Sequence, residues 1–394
     1  MAGKALRLLV AGALAACMTI TSFSRSPVVE HGAGVSELTA HEWGTFTSVA
    51  GPDGQAVAWV PVAASTDLPA FVERFRDEGF KCSLSGTVRM ETPVLYFYSP
   101  RETTVSVNVK FAKGTITEWY PHASAVERTD AEGVIRWSKV RLLPGSQTGF
   151  PAGVGDNHYY AARNTSATPL RVQAPGGEQD EKFLFYRGVS SAALPIAARL
   201  TPEGKVVVQS LDGEEIPDVM LIESRDGKLG YRVSGALRDR VQLDPPPLTA
   251  TADSMFKDLE GTLIARGLYA DEARAMIATW RNSWFEEGSR LLYILPARAV
   301  SAILPLSIDP APASTVRVFV GRLELVTPAT KRAVERAFAA HDRPAIEKYR
   351  RFLVPIVNAL IADSQADPGR TRELQGYLNS AYSYACRSSW SAGR

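Results

Sequence analysis

The chain has 394 residues, of which 45% are apolar and 22% are charged. This composition is typical of a globular protein with one large domain or two domains of moderate size. The formal net charge is only +2, from 44 basic and 42 acidic residues, and no block of like charge stands out. Nucleic-acid binding through a basic tail and disorder driven by an acidic tail are both disfavoured, so no nucleic-acid partner is predicted.

Residues 1–24 have the pattern of an export signal. Two basic residues precede an apolar run, Leu8–Cys17, which is too short and too interrupted for a membrane span. The end of this run resembles a bacterial lipobox, in which Cys17 is lipidated, and the alternative is ordinary cleavage after Ser22–Ser24. Both alternatives predict an extracytoplasmic protein, whether periplasmic, secreted or an outer-membrane lipoprotein. A lipid on Cys17 is the only membrane contact expected.

Residues 25–37 read as a flexible tether, and the mature chain then contains two further cysteines, Cys82 and Cys386. Outside the cytoplasm, such a pair tends to oxidise where the geometry permits, so a Cys82–Cys386 disulfide is predicted. The alternative is two buried free thiols. Neither cysteine lies in a CxxC pair, which disfavours a thiolate zinc site.

Residues 38–245 are expected to form a β-rich body. Short runs rich in β-branched and aromatic residues alternate with turn signals, of which Lys113-Gly114 is one. Leu68–Phe80 is the one segment here with a helical pattern, ending near Gly79. Many short strands joined by turns predict an antiparallel sandwich.

Residues 246–394 are expected to be mostly helical, after the proline run Pro245–Pro247. Helices are predicted at about 255–264, 270–285, 329–340, 343–362 and 370–386. One strand is predicted at about 316–326, with the option of joining the earlier sheet. The predicted fold class is therefore α+β, with an antiparallel sandwich-like body and a mostly helical C-terminal region.

His41-Glu42 opens a zinc-protease signature, but the rest of the signature is missing. A zinc-binding helix needs a second histidine four residues after the first, and Thr45 occupies that position. Gly44 and the two threonines favour a strand, in which His41 and Glu42 point to opposite faces. No G-x-S-x-G stretch suggests a serine nucleophile either.

Three histidines and two glutamates from separate β segments are the candidates for chemistry. His41, His122 and His158 could bind a divalent metal on the rim of the sandwich, although no local ligand spacing supports this. Glu91, Glu118 and His158 are the candidate catalytic residues, and with His41 they would form a hydrolase site. The alternative is that each histidine packs against its aromatic neighbours.

Aromatic residues beside these polar groups suggest ligand binding. Trp43, Trp119 and Tyr120, together with Arg163, are the candidate binding residues, because flat rings stack on sugar faces. A glycan or another envelope component is the partner that this predicts. The alternative is that these rings fill the core, as Trp and Tyr in strands often do.

Several segments together resemble a group of uncharacterised exported bacterial proteins that carry an HEWGTFTS segment. The resemblance spans most of the mature chain and implies export, but no function is known for that group. It favours placing a site on the polar residues of these segments. The segments are HEWGTFTS (41–48), RMETPVLYFYS (89–99), TEWYP (117–121), HYYAAR (158–163), FLFYRG (183–188) and SWFEEGSRLLYILP (283–296).

Two functions of different classes remain open at this level. The first is an exported, envelope-associated binding or structural module. The second is an exported hydrolase with a metal or paired-carboxylate site on the β-body. Export, the β architecture and the missing catalytic motif favour the first.

Overall fold

The computed structural model describes residues 37–59, 68–75, 85–129, 132–153, 157–364 and 367–391. The described chain is α+β, as predicted. In chain order the strands are β1 (Thr39–Val49), β2 (Glu73–Arg74), β3 (Val88–Tyr98), β4 (Thr103–Ala112), β5 (Gly114–Tyr120), β6 (Ala125–Arg128), β7 (Glu132–Leu142), β8 (Leu170–Ala174), β9 (Gly177–Glu181), β10 (Leu184–Ser190), β11 (Ile196–Leu200), β12 (Val206–Ser210), β13 (Ile216–Arg225), β14 (Lys228–Leu237), β15 (Arg240–Leu243), β16 (Gly288–Ile294), β17 (Leu306–Asp309) and β18 (Ser314–Leu325).

The helices follow mainly in the second half of the chain. The α-helices are α1 (Ala252–Ala265), α2 (Ala270–Trp284), α3 (Ala297–Ile303), α4 (Pro328–Ala339), α5 (Arg343–Glu347), α6 (Leu353–Asp363) and α7 (Pro368–Ser391). Two short 3-10 turns, Tyr160–Arg163 and Arg350–Phe352, complete the regular structure of the described residues.

The largest sheet has nine strands in the order β14-β13-β16-β18-β1-β3-β10-β5-β2. At its centre, β1 pairs antiparallel with β3 and parallel with β18. The strand expected at about 316–326 is therefore β18, a central strand of this sheet. A six-stranded sheet (β17-β4-β7-β8-β9, with β6 on β7) and a three-stranded sheet (β11-β12-β15) complete the β structure.

Each face of the nine-stranded sheet is covered by a different kind of element. On one face, a hydrophobic cluster joins residues of all three sheets, such as Phe46, Phe111 and Val208. This is the sandwich core. On the other face, a second cluster joins Trp43 of β1 to residues of α1 and α2, such as Trp280. Because both faces are covered, the side chains of β1 and β3 are buried along almost their whole length, and the polar ones among them need partners in the interior.

A third, smaller cluster lies where the C-terminal helices meet the end of β1. It contains Val49 and Trp59 together with Phe338 of α4, Val357 of α6 and Leu374 of α7. The helical region after β18 is thus attached to the sheet through its own apolar core.

Three expectations about secondary structure need correction. The described part of the predicted helix Leu68–Phe80 contains the strand β2, because Glu73 and Arg74 pair with β5. The region after residue 245 contributes three strands, β16, β17 and β18, where one was expected. The short apolar run that forms β16 cannot be distinguished from a buried helix by periodicity alone, and its partners β13 and β18 are distant in the chain.

The helix expected at 343–362 is interrupted. It forms α5, the turn Arg350–Phe352 and α6, and Pro355 lies in the first turn of α6. A proline is tolerated in a first helical turn but disrupts a helix interior, so one continuous helix through Pro355 is disfavoured. The other four predicted helices correspond to α1, α2, α4 and α7.

The export signal, the tether and two cysteines lie outside the described residues. Cys17 and Cys82 are among these positions, and the side chain of Cys386 in α7 is not described. Lipidation of Cys17 and the Cys82–Cys386 disulfide therefore stay predictions. Within the described part of the chain, no helix is both long enough and apolar enough to cross a bilayer.

Candidate functional site: a buried charged network

A row of charged side chains crosses the helix-covered face of the nine-stranded sheet. Arg290 of β16 lies opposite Glu324 of β18, and Arg322 follows two residues before Glu324 on the same face. Strand β3 lies on the other side of β1. Its residues Arg89 and Glu91 lie opposite Thr47 and Thr45 of β1, on the same face of the sheet. All five charged side chains are buried. Burial of this many ionised groups is unusual, because a buried charge is costly unless it is paired.

The row continues onto β10 and β5. Arg187 of β10 lies opposite Glu118 of β5 in the strand ladder, and both residues are buried. The Arg187 guanidinium also donates to Thr92 Oγ1 at 3.4 Å. With one residue after α2 and one from the C-terminal region, these groups form what we call the charged network: Arg89, Glu91, Glu118, Arg187, Glu286, Arg290, Arg322, Glu324 and Arg351.

Glu91 is the most heavily contacted carboxylate of the network. Thr47 Oγ1 donates to its Oε2 at 2.6 Å, Arg89 Nε lies 3.1 Å from its Oε1, and Arg351 also contacts Oε1. Burial raises the pKa of the Glu91 carboxyl, but Arg351 and Arg89 outweigh this effect and bring the pKa down to about 2. Glu91 is therefore a permanent anion at physiological pH.

Glu324 has the same role at the other end of the network. Its Oε1 accepts from Arg290 Nε at 2.7 Å and from Arg322 Nε at 2.6 Å. Burial raises the pKa of Glu324, and the two guanidinium groups more than reverse that effect, so the pKa is lowered overall. Arg290 also donates to the Trp284 carbonyl at 2.7 Å, which ties the network to the C-terminal end of α2.

Ser283 of α2 and Glu286 connect the two ends. Arg322 donates to the Ser283 carbonyl at 2.7 Å and to Glu286 Oε2 at 2.8 Å. Arg351 donates to Ser283 Oγ at 2.5 Å, so a chain of direct contacts runs from Arg290 to Glu91. Arg351 comes from the turn between α5 and α6, and the next residue, Phe352, lies 4.9 Å below the Arg322 guanidinium. The C-terminal region thus supplies one wall of the site.

Strand irregularities converge on the same place. The register of β1 and β3 shifts between Trp43 and Thr45, and the registers of β10 with β3 and β5 shift beside Gly188. Thr92, next to Glu91, has φ = 48°. A β-branched residue in the left-handed region is strained by about 1–3 kcal/mol, and such strain concentrates at functional sites. Bulges also re-aim side chains next to active sites.

The network leaves at least one buried donor without a hydrogen-bond partner among the described residues. It holds five guanidinium groups (Arg89, Arg187, Arg290, Arg322, Arg351) and four carboxylates (Glu91, Glu118, Glu286, Glu324). Two buried polar atoms, Arg351 Nε and Thr45 Oγ1, have no hydrogen-bond partner in the described part of the chain. These two spare donors, close to several guanidinium groups, are suited to holding an anion.

The predicted catalytic residues Glu91 and Glu118 both belong to the network, but His41 does not. His41 Nδ1 lies 2.8 Å from Glu272 Oε2, and its ring packs on Tyr269 at 4.4 Å. In the ladder, His41 faces Tyr96, five residues along β3 from Glu91. At about 3.3 Å per residue, this separates them by roughly 15 Å, so the predicted hydrolase site of His41, Glu91, Glu118 and His158 is not assembled.

The three-histidine metal prediction is also corrected. Each ring has a different contact: His41 pairs with Glu272, His122 Nδ1 lies 2.9 Å from Glu73 Oε1, and the His158 ring packs 5.2 Å from Trp280. Among the described residues, no three His, Cys, Asp or Glu side chains converge as metal ligands would. Sequence reasoning could not see this, because the partner carboxylates are distant in the chain.

The aromatic residues expected to stack on a glycan are buried. Trp43, Trp119 and Tyr120 expose 0%, 8% and 3% of their surface, so their faces pack against protein. Arg163 is held by Glu181, with its NH2 at 2.6 Å from Oε2, and by the Pro151 carbonyl at 2.8 Å. The burial of these rings agrees with the alternative that they fill the core, and not with the prediction that they stack on a glycan.

Sequence reasoning missed most of the arginines, although a signal was present. In RMETPVLYFY and VRVFVGRLELV, two opposite charges stand two residues apart within an apolar strand, as Arg89 with Glu91 and Arg322 with Glu324. That spacing puts both on one face of a buried strand, where they need further partners. Arg351 gave no such signal, because its role depends on how the C-terminal turn docks.

Five of the six segments that carry the family resemblance contribute to this site. HEWGTFTS supplies Thr45 and Thr47, while the segments at 89–99, 117–121, 183–188 and 283–296 supply charged members of the network. The inference that a site would lie on these segments agrees with where the charges meet.

Comparisons with known proteins add little to this geometry. No protein-family model and no curated protein matches the sequence. Among solved structures, the chain is similar to the yeast delta-COP-I mu-homology domain at 9% identity and a TM-score of 0.27, over 73% of this chain and 95% of that chain. The same domain complexed with a Dsl1 WxWxV peptide gives a TM-score of 0.23 at the same coverage and identity. Scores this low carry no argument about fold or function.

Proposed function

We propose that this protein is an exported binding protein and that the charged network is its ligand site. The ligand presents one anionic group, a carboxylate, phosphate or sulfate, to Arg351. The observation that carries this proposal is the spare donor Arg351 Nε, buried among the guanidinium groups of the network. An arginine fork is well suited to oxyanions, because its planar donors match their geometry.

The physical reason is the cost of burial. Bringing an ion out of water costs several kcal/mol unless an opposite charge compensates, and removing one partner of a buried set leaves that cost uncompensated. A bound oxyanion would accept the hydrogen bond of the buried Arg351 Nε. Access from solvent is provided at the rim, where Glu286 and Arg351 expose 30% and 14% of their side chains.

The geometry favours binding over hydrolysis. Paired-carboxylate glycosidases need one carboxylic acid whose pKa is raised, so that it can donate a proton. Glu91 has the opposite property, since its pKa is about 2 and three neighbours hold it as an anion. Glu91 is therefore a positioning group for the arginines.

The location proposed for this activity is outside the cytoplasm. It follows from the signal-like residues 1–24, and Cys17 in its lipobox-like context is the proposed lipid anchor. Labelled palmitate, supplied to cells expressing the native chain or the Cys17→Ala variant, tests the anchor. Label on the native chain alone supports it, whereas equal or absent labelling rejects the anchor and leaves secretion open.

The ligand site is tested by thermal unfolding and calorimetry of the mature protein with sodium phosphate, sulfate or acetate as probes. A ligand at 100 times its Kd stabilises the folded state by about 2.7 kcal/mol, which shifts Tm measurably. We expect at least one oxyanion to raise the Tm of the native protein and to lose its effect in Arg351→Gln. Arg163→Gln is the matched control, because it removes a partly buried arginine that pairs with Glu181 outside the network.

Two outcomes would reject the proposed site. One is that none of the three anions binds the native protein. The other is that an anion raises the Tm of the native, Arg351→Gln and Arg163→Gln proteins equally, which indicates binding elsewhere. Arg351→Lys keeps the charge but not the planar fork, so an intermediate affinity is expected for it.

A further inference from the structure

A second feature shares no residue with the charged network and lies where the hairpin of β13 and β14 meets α1 and α2. An open cleft of about 570 Å³ separates these elements. Lys228 and Leu229 line it from β14, Phe256 lines it from α1, and Arg281 and Asn282 line it from α2. A cleft of this volume is large enough for a small organic molecule.

The charge of the cleft is one-sided. Lys228 and Arg281 line it, and no Asp or Glu does. Arg281 is placed by an aromatic ring, since its guanidinium carbon lies 5.1 Å from the centre of the Phe256 ring. Within the described chain, neither Lys228 nor Arg281 makes an ion pair or a hydrogen bond through its side chain. Both cations are therefore free to meet a ligand.

Two aromatic rings supply part of the lining of the cleft. Phe256 and Phe285 are half-buried and meet edge to face, with ring centroids 5.0 Å apart. Leu229 and Leu248 add aliphatic surface, while Asn282 and Thr249 supply neutral polar groups at the rim. Aromatic rings and two cations in one cleft suit a molecule with an apolar body and one anionic end.

We propose that this cleft is a second ligand site, for small carboxylates with an aromatic or aliphatic body. The carboxylate pairs with Arg281 and Lys228, and the body packs on Phe256 and Phe285. This site shares no residue with the charged network, so it does not depend on the function proposed above.

The test uses phenylbutyrate as the probe and its neutral amide, phenylbutyramide, as the matched ligand. Calorimetry on the mature protein should show binding of the acid and about tenfold weaker binding of the amide, as expected when one charge-assisted interaction is lost. Arg281→Gln should weaken binding of the acid by a similar factor. Arg274→Gln is the control, because Arg274 lies on the same helix but pairs with Glu260 at 3.1 Å. The Arg274→Gln variant should bind phenylbutyrate with the affinity of the native protein.

The outcomes separate this site from the first one. Arg351→Gln should leave phenylbutyrate binding unchanged, whereas a loss in that variant alone would assign the probe to the network and overturn the cleft proposal. Equal binding of acid and amide, equal affinities of Arg281→Gln and Arg274→Gln, or no binding of phenylbutyrate to the native protein would also overturn it. Arg281 is exposed, so folding of the variant is expected and is checked by circular dichroism.

Discussion

Two buried glutamates on opposite faces of the nine-stranded sheet have carboxyl pKa values that are shifted in opposite directions. Glu42 of β1 lies on the sandwich face, contacts the Tyr186 hydroxyl and lies 2.5 Å from Arg317 Nε. Burial raises its pKa, and the single arginine lowers it by less than that. Glu91 on the helix face is buried as completely, yet Arg351 and Arg89 bring its pKa to about 2.

The difference teaches that the number of cations, and not burial alone, decides the charge state. On the sandwich face, apolar packing between sheets leaves room for one ion pair. On the helix face, arginines from β3, β16, β18 and the C-terminal turn converge on the carboxylates. Buried ion pairs are weak evidence for stability, since well-packed apolar residues often do as well. For this reason we propose that the network serves a ligand and not folding alone.

The largest effect is expected from breaking the network at its centre. Arg322 is fully buried and contacts Glu324, Glu286 and Ser283, so Arg322→Met should lower the free energy of unfolding by about 3–5 kcal/mol. Urea denaturation measures it. The control Arg136→Met removes an exposed pair with Glu127 and should cost less than about 1 kcal/mol. Similar values for both variants would mean that the network does not behave as a buried unit.

The pH dependence of Glu91 should come next. Its folded pKa lies below the ordinary 4.5, so its contribution to stability is fully present above pH 4.5 and is lost as the pH falls towards 2. A difference of this size corresponds to about 3 kcal/mol. The native protein should lose stability more steeply than Glu91→Gln between pH 5 and pH 3, measured by urea denaturation. Parallel profiles would contradict the assignment.

Glu42 should show the opposite sign and so sharpens the comparison. Its folded pKa is raised, so its contribution is fully present below pH 4.5 and is lost as the pH rises through the folded pKa. This loss should disappear in Glu42→Gln. As the pH rises, the native protein should therefore lose stability relative to Glu42→Gln, whereas it should gain stability relative to Glu91→Gln. The same denaturation series measures both, and equal signs would refute the contrast between the two faces.

The smallest effect on stability is expected at His122, which lies outside the buried surroundings of both Glu42 and Glu91. Its pair with Glu73 is partly exposed, with about a third of the His122 side chain accessible, so His122→Ala should cost about 1 kcal/mol or less. Metal analysis of native protein and variant should give the same content. A stoichiometric metal that is lost in His122→Ala would restore the metal-site prediction.

The sequence predicted most elements whose pattern is local. The helices α1 and α2 follow from apolar residues at helical spacing, and the many strands of the body follow from alternation and turn signals. It failed for β2 and β16, whose strand character comes from partners far along the chain. At the site, the polar segments were recognised, and Glu91 and Glu118 were named. The geometry does not support the roles assigned to the other residues, because His41 and His122 pair with distant glutamates and the rings of Trp43, Trp119 and Tyr120 are buried.

The sequence by itself determined the α+β class and the segments on which polar groups concentrate, while export remains a prediction from the pattern of residues 1–24. These properties depend on composition and on periods of a few residues. Only the tertiary structure decided that β18 lies beside β1, that Arg351 reaches Glu91 from 260 positions away, and that His41 and Glu91 stay apart. Ion pairing in the interior depends on which distant strands become neighbours. That choice is made by the packing of whole faces and not by local pattern.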